Sequence, residues 1–201
     1  MSRKLQGPIV LAVSGKARHG KDTVADYLVK TYGFEKYAVA NPIKEICKEV
    51  FSFDDSQVYG DNKETVDPRW GVSPRKCMQF IGTELFRDRI GGLLPQIGSD
   101  IWIHCLVNKL SDVFKENPNA LIVVSDVRFE NEWKSLKSRL KGAYSVRINN
   151  PRVADPLTYH VSENMEWGVD FGVENNGTLP DLYQKVDNLV DFLNLLCYSQ
   201  E

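Results

Sequence analysis

The chain is predicted to fold as an α/β protein built on a doubly wound, five-stranded parallel sheet with helices on both faces. Three observations carry the prediction. Short apolar runs alternate with amphipathic stretches of helical period along the whole length. The sequence Gly15-Lys16-Ala17-Arg18-His19-Gly20-Lys21-Asp22-Thr23 sits between an apolar run, Ile9–Val13, and a helix-compatible segment from Thr23 to Tyr32. Leu121-Ile122-Val123-Val124-Ser125 is continuous rather than alternating, as a strand covered on both faces should be. With 201 residues, 42% of them apolar and 26% charged, there is material for one real core. No repeat, low-complexity tract or linker divides the chain.

The elements follow in order. Ile9–Val13 is the first strand, and the helix after it carries Val24, Tyr27 and Leu28 on one face. Phe34 to Ala40 reads as a second, weaker strand. Asn41-Pro42 starts the second helix, with Asn41 as N-cap and Pro42 in the first turn; Ile43, Ile46, Cys47 and Val50 form its buried stripe. Residues 52–72 are polar and turn-rich and are expected to be a mobile loop or cover. Ser73-Pro74 caps the third helix, in which Cys77 or Met78, Ile81 and Leu85 recur at helical spacing until Gly91-Gly92 ends it. A further helix from about Ile101 to Lys115 buries Leu106, Leu110, Val113 and Phe114. After the strand Leu121–Ser125 comes a helix from Glu130 to Leu140 with Trp133, Leu136 and Leu140 inward. Tyr144–Ile148 and Asp170–Glu174 are the last two strands, separated by irregular sequence holding Pro151 and Pro156. The final helix, from about Leu179, lines up Leu182, Val186, Leu189, Leu193 and Leu196. Ligands of such sheets sit at the carboxyl ends of the strands.

A strand, a tight glycine loop and a helix start are the context of a phosphate-binding P-loop, which places the chain among the P-loop NTPases. There the loop's backbone N–H groups and the helix N-terminus cradle a triphosphate. Gly15 and Gly20 can take positive φ and let phosphate approach the backbone. Lys21 supplies a mobile point charge to the β- and γ-phosphates. The usual Gly-Lys-Ser/Thr ending is here Gly-Lys-Asp-Thr, so the hydroxyl comes one residue late. Thr23 can therefore serve as an α-phosphate or helix-start donor, or as a direct Mg²⁺ ligand. Asp22 can hold metal through water, or simply favour the helix dipole.

Bulk properties narrow the function. A net charge of −2 and a pI near 6.0 give no electrostatic footprint for nucleic acid or an anionic membrane. Cys47, Cys77, Cys105 and Cys197 are far apart, with no Cys-x-x-Cys pair, and read as reduced core cysteines rather than disulfides or a zinc site. No apolar run approaches membrane-spanning length, and the N-terminus lacks the apolar region of a signal peptide. A cytosolic protein acting on small molecules is expected. The oligomeric state is left open, with a homodimer as one option.

Asp126 ends the most apolar strand, the place of a Walker-B acid beside the P-loop, where it can hold Mg²⁺ directly or through water. The candidate metal ligands are thus Asp22, Thr23 and Asp126. Phosphoryl transfer leaves little covalent chemistry to a protein, so cations must position and neutralise anionic substrates. Arg128 follows Asp126 closely, and Arg75 and Arg87 lie on or near the third helix, where Arg75 and Gln79 share a face. Gln79 can read a base edge or be a plain surface residue. Arg152, in the proline-bounded stretch, is either a lid arginine or a linker charge. His19 reads as a loop-shaping residue, and His160-Val161-Ser162-Glu163 is either functional or a capped turn.

These blocks occur in a telling order. Gly15…Gly20-Lys21-Asp22-Thr23 and Ala40-Asn41-Pro42-Ile43-Lys44 come first, then Arg75…Gln79-x-x-Gly82-Thr83-Glu84…Arg87 and Ser125-Asp126-Val127-Arg128…Glu132. His160-x-Ser162-Glu163 and Asn175-Asn176-Gly177-Thr178-Leu179 close the set. Together they resemble the bacteriophage-type deoxynucleoside monophosphate kinases, in the nucleoside-monophosphate-kinase branch of the P-loop proteins. The likeness spans nearly the whole chain, and the Gly-Lys-Asp-Thr ending with the later Gln-x-x-Gly-Thr-Glu block is its selective part. The resemblance implies ATP, with Mg²⁺, bound along Gly15 to Thr23 and by Asn176 and Gly177. It implies an acceptor nucleotide met by Lys44, Arg75, Gln79, Thr83, Arg87 and Arg128, with Lys21, Asp126 and Arg128 catalytic. It also implies one kinase domain over 1–201, with an acceptor-binding insertion at about 41–100 and a small lid at about 149–165. The chain is shorter than the best-known members between the second and third helices, so base and sugar preference stay open.

The nearest rival reading keeps the chemistry and changes the acceptor, to dephospho-coenzyme A or phosphomevalonate. A regulatory NTPase is a different class. Asn108-Lys109-Leu110-Ser111 lacks the acid of the guanine-reading Asn-Lys-x-Asp, and Asp126-Val127-Arg128-Phe129 lacks the glycine of the GTPase Asp-x-x-Gly.

Overall fold

Strand β1 (Ile9–Ser14) is buried along its entire length, as befits the centre of a sheet, and the chain winds outward from it in both directions. The computed structural model describes residue 5 and residues 7–153 and 167–198. They form two compact units, one from the described residues of Met1–Ala38 and Val107–Glu201, the other Val39–Leu106. In chain order the elements are β1, α1 (Lys21–Tyr32), β2 (Glu35–Tyr37), α2 (Asn41–Phe51), α3 (Asp55–Val58), α4 (Pro74–Gln79), α5 (Ile101–Glu116), β3 (Leu121–Val124), α6 (Glu130–Arg139), β4 (Ala143–Asn149), β5 (Phe171–Glu174) and α7 (Leu179–Tyr198).

The first unit holds the sheet. Its order is β2-β3-β1-β4-β5, and every neighbouring pair is parallel. Connections leave β1 toward β2 and β3 on one side and toward β4 and β5 on the other, so the switch point lies at the carboxyl end of β1. One face packs Ile9, Leu11, Val13, Val123, Val146, Ile148 and Val173 against Val24, Ala25 and Leu28 of α1 and Leu182, Val186, Leu189 and Leu193 of α7. The alternate residues Val10, Ala12, Ile122 and Val124 are equally buried, so the second face is covered as well, with α6 packed on β4. Each fully buried aliphatic side chain contributes about 1.5–3 kcal/mol, and this double layer holds the strand ends, and hence the loops they carry, in place. Val113, Phe114 and Leu196, expected inside, are only half-buried.

The second unit is smaller, its core built on Cys47, Phe53, Val58, Cys77 and Ile81. Four expectations are corrected here. The N-cap of α2 is Ala40, with Asn41 already helical; Pro42 in the first turn removes one donor that no helix could satisfy. Val50, at the last turn of α2, runs past the small core and is 59% exposed. Residues 52–72 are built structure rather than a mobile loop: a capping box in which Asp54 and Gln57 bond each other's backbone opens α3, a 3₁₀ turn spans Asp61–Glu64, and Asp67 pairs with Val72 in a β-bridge. Asp67 is buried and takes two nitrogens of Arg69 and the Gln57 amide, and Arg69 also donates to the Ser52 carbonyl. Last, Ser73 does cap α4, but the helix continues as a π-helix, Phe80–Arg87, and ends there rather than at Gly91-Gly92. The wider turn rotates Leu85 off the predicted stripe, and it is 39% exposed. The Gly82 carbonyl accepts the Trp102 indole N–H at 2.7 Å. Cys47, Cys77 and Cys105 are free thiols, and burial pushes the Cys47 thiol up to about 11.

Candidate functional site

Three strand ends in the first unit meet at the glycine loop. Gly15 has φ 140°, and a Cβ there would lie 2.4 Å from the Ile148 carbonyl oxygen of β4. Gly20 caps α1 at φ 103°, and a Cβ there would lie 2.8 Å from the side-chain amide of Asn175. A Cβ at either position would strain a left-handed backbone, and at Gly15 it would also clash with the β4 backbone. Arg18 is also left-handed, at φ 65°, so Lys16, Ala17 and Arg18 turn outward and His19 turns in. Its ring is 5% exposed; Nδ1 accepts the Asn150 N–H at 3.1 Å, and its carbonyl accepts the Asn175 amide at 3.0 Å. The loop is thus tied to the segment after β4 and to the turn after β5. Lys21 Nζ donates to the Lys16 carbonyl across the loop at 2.8 Å.

Nothing in this arrangement caps α1 with a side chain. The cap is a glycine, and an anion is the natural acceptor for a helix N-terminus built so. The carboxylate of Asp22 is 77% exposed and bonded to Lys36 of β2 at 3.1 Å; Lys36 also pairs with Asp26. Of the three oxygens expected around a metal, this one therefore already faces a cation. Thr23 is half-buried in the first turn of α1.

The turn after β5 is held by two cations. Lys185 donates to the Glu174 carbonyl at 2.6 Å and to the Asn176 side chain at 2.8 Å. Arg152 donates to the carbonyls of Asn176 and Gly177, so the expected lid arginine and two expected ATP residues lie together. Thr178 then caps α7, its N–H and hydroxyl both donating to Asp181, whose carboxyl these bonds hold below the usual range. The remainder of the expected lid, with His160, Ser162 and Glu163, lies outside the described residues.

Strand β3 brings the acid. It pairs with β1 in the register Ile9↔Leu121 to Ala12↔Val124. Carrying that register two residues further sets Asp126 level with Ser14, immediately before the glycine loop. Asp126 is half-buried and Arg128 exposed. Their loop is shaped by a residue whose weight the sequence did not show: buried Glu132, whose Oε2 accepts the N–H groups of Arg128 at 2.9 Å and Phe129 at 3.2 Å. Trp167 donates its indole N–H to the Arg128 carbonyl at 3.3 Å. A Glu two residues into a helix is a recognisable capping signal; that it would also fix an arginine was not.

The second unit carries the other expected residues. Arg75, Gln79 and Thr83 are exposed at successive four-residue steps along α4 and its π continuation, with Arg87 half-buried after them. Arg75 Nε pairs with Glu64 at 2.5 Å. Lys44 Nζ lies 4.4 Å above the Tyr59 ring centroid. The row is a basic and amide-bearing strip along one helix, suited to phosphate and polar ligand groups.

Among the described residues no three His, Cys, Asp or Glu side chains gather to hold a metal. Mg²⁺ takes one or two carboxylates and completes its shell with substrate phosphates and water. Asp126 and Thr23 are hard oxygen donors of the right kind. No helix among the described residues is long and apolar enough to cross a membrane.

The model of the deoxynucleotide monophosphate kinase family matches residues 9–67 and 48–186. A protein of Acanthamoeba polyphaga mimivirus assigned as a deoxynucleotide monophosphate kinase is 35% identical over 188 residues, covering 91% of this chain and 96% of its own. The deoxynucleoside-5'-monophosphate kinase of Escherichia phage T5 is 30% identical over 106 residues, 53% of this chain and 38% of its own. Among solved structures, a gluconokinase from Sinorhizobium meliloti aligns with 98% of this chain and 99% of its own at a TM-score of 0.50 and 13% identity, a likeness of fold.

Proposed function

The chain belongs to the deoxynucleotide monophosphate kinase family, and on that footing we propose that it transfers the γ-phosphate of ATP to a deoxynucleoside 5′-monophosphate, giving the diphosphate and ADP. The observation that carries the reading is the glycine loop, packed at Gly15 against the Ile148 carbonyl and at Gly20 against Asn175, and fastened through His19 to two neighbouring strand ends. The loop N–H groups and the α1 terminus receive the β-phosphate. Lys21 leaves the Lys16 carbonyl for the β- and γ-phosphate oxygens, a stronger, charge-assisted partner. Asn176 and Gly177 border the adenine, with Arg152 over the same turn.

Asp126 and Thr23 would hold Mg²⁺, with Asp22 contributing through water only if it releases Lys36. The ion, when bound, neutralises charge between the β- and γ-phosphates. Lys44, Arg75, Gln79, Thr83, Arg87 and Arg128 are assigned to the acceptor, the arginines to its phosphate and Gln79 to its base. Lys21, Asp126 and Arg128 are the catalytic set, placing charge where it develops in the transition state. Action on soluble nucleotides supports a cytoplasmic location, that of the host if the chain is viral.

The test is ADP release with a panel of acceptors. Turnover with deoxynucleoside monophosphates, and little with dephospho-coenzyme A or phosphomevalonate, is expected. Preference for either of the latter would overturn the acceptor, and ATP hydrolysis indifferent to any acceptor would overturn the transferase.

A further inference from the structure

Strand β4 sends its side chains alternately to the two faces of the sheet. Tyr144, Val146 and Ile148 join the core beneath α1 and α7, so Ser145, Arg147 and Asn149 face the other way. Ser145 bonds Asp170 through both its N–H and its hydroxyl, and Asn149 donates to Glu174 at 3.0 Å. Arg147 has no such partner. It is half-buried, its guanidinium carbon 5.2 Å from the centroid of the Trp167 ring, and one nitrogen donates to the Trp167 carbonyl at 2.5 Å. Its Nε–H is buried with no acceptor, and among the described residues no carboxylate lies against it. Burial alone acts on its charge.

A cation kept half out of water with no counter-ion among the described residues, one donor orphaned, is costly to stability. A methionine or glutamine would pack against the same indole more cheaply. The position of Arg147 says what offsets the cost. It pairs in register with Ser14, the residue before the glycine loop, while the adjoining Ile148 carbonyl is the atom against which Gly15 is packed. On the far side of β1, the same face carries Val124, two residues ahead of Asp126. Trp167 is 7% exposed, with the Trp133 ring 6.4 Å away, so the platform under Arg147 is fixed. That same indole holds the Arg128 carbonyl, which joins a half-buried arginine and an exposed one through one ring.

We propose that Arg147 is a phosphate-binding residue of the transfer reaction, its guanidinium presented from β4 to a phosphoryl group of a bound nucleotide. The inference rests on the kinase reading above. The phosphoryl group belongs either to the donor polyphosphate or to the acceptor monophosphate, which offer an arginine the same oxygens.

The test compares wild type with Arg147→Met, which keeps the stem against Trp167, and Arg147→Lys, which keeps a charge without the fork. Arg147→Met should melt at or above the wild-type temperature while losing on the order of 100-fold in kcat/KM, and Arg147→Lys should recover part of the loss. A loss expressed in ATP kinetics and in calorimetric binding of tripolyphosphate assigns the donor; one expressed in the monophosphate KM assigns the acceptor. Activity of Arg147→Met within about threefold of wild type, with both KM values unchanged, would make Arg147 a packing residue and overturn the proposal. Should neither variant fold, the wild-type enzyme decides: the Arg147 Nε–H resonance should move when a non-hydrolysable ATP analogue and the monophosphate are added, and an unmoved signal at saturation would overturn the assignment. Wild type that makes no diphosphate from any monophosphate would sink the kinase reading instead, and tripolyphosphate addition to the same resonance then decides whether Arg147 holds an anion.

Discussion

Lys21 Nζ rests on the Lys16 carbonyl, a neutral acceptor that the oxygens of a polyphosphate outcompete. Lys21→Ala should therefore leave a folded protein, with a melting temperature near wild type and activity lower by about 10³-fold or more; activity within about tenfold would remove the loop from catalysis. Asp126, level with Ser14 at the end of β3, should answer differently. Asp126→Asn is expected to lower kcat and to shift the Mg²⁺ dependence to higher concentration, and an unchanged metal titration would make it a turn residue. Motif spacing made both residues legible, because a strand, glycines and a lysine leave few alternatives. It could not show that His19 would be buried, with the Asn150 N–H on its Nδ1 and the Asn175 amide on its carbonyl, since those partners lie more than a hundred residues away. Arg147 escaped for a related reason: in sequence it is a polar residue in an alternating strand, and only pairing with β1 puts it beside the loop.

At the scale of elements, periodicity predicted β1, β3 and α7 closely, because long, strongly patterned segments are decided by burial. It failed on the third helix, where α4 widens into the π-helix Phe80–Arg87 and carries Leu85 outward. The extra residue per turn is invisible to a 3.6-residue pattern. The same change leaves Arg75, Gln79, Thr83 and Arg87 along one strip, and Arg87→Ala should raise the monophosphate KM or lower kcat while barely altering ATP-analogue binding. Loss of a charge-assisted phosphate contact is worth on the order of 2–5 kcal/mol, and Arg87→Lys should be a poor substitute. Equal losses for both nucleotides would move Arg87 to the donor side. Residues 52–72 looked like a loop because their order comes from polar bonds rather than apolar period. Arg69, with Gln57, holds the Asp67 carboxyl far below the usual carboxylate range. A depressed native pKa gives stability that is complete above the unfolded value of about 4 and is lost as pH falls through the native one. Asp67→Asn should thus lower the melting temperature at pH 7, and the gap from wild type should narrow below about pH 4; a gap constant from pH 7 to 3 would contradict the ion pair's role.

Across the whole molecule, one parallel sheet places the glycine loop, Asp126, Asn150 and the Asn175–Gly177 turn at the carboxyl ends of four strands. Alternating apolar runs announced that sheet. The division into two units, with Val39–Leu106 compact on its own, left no mark in composition, since both halves need cores of ordinary apolar content. Membership in the deoxynucleotide monophosphate kinases gives the fold its chemistry, and the transfer itself can be watched. The decisive measurement incubates the enzyme with ATP labelled in its γ-phosphate and a deoxynucleoside monophosphate, then separates the products. Label in the β-position of the deoxynucleoside diphosphate, made by wild type and lost in Lys21→Ala, is the predicted result. Label released as inorganic phosphate at a rate indifferent to the monophosphate would contradict the account.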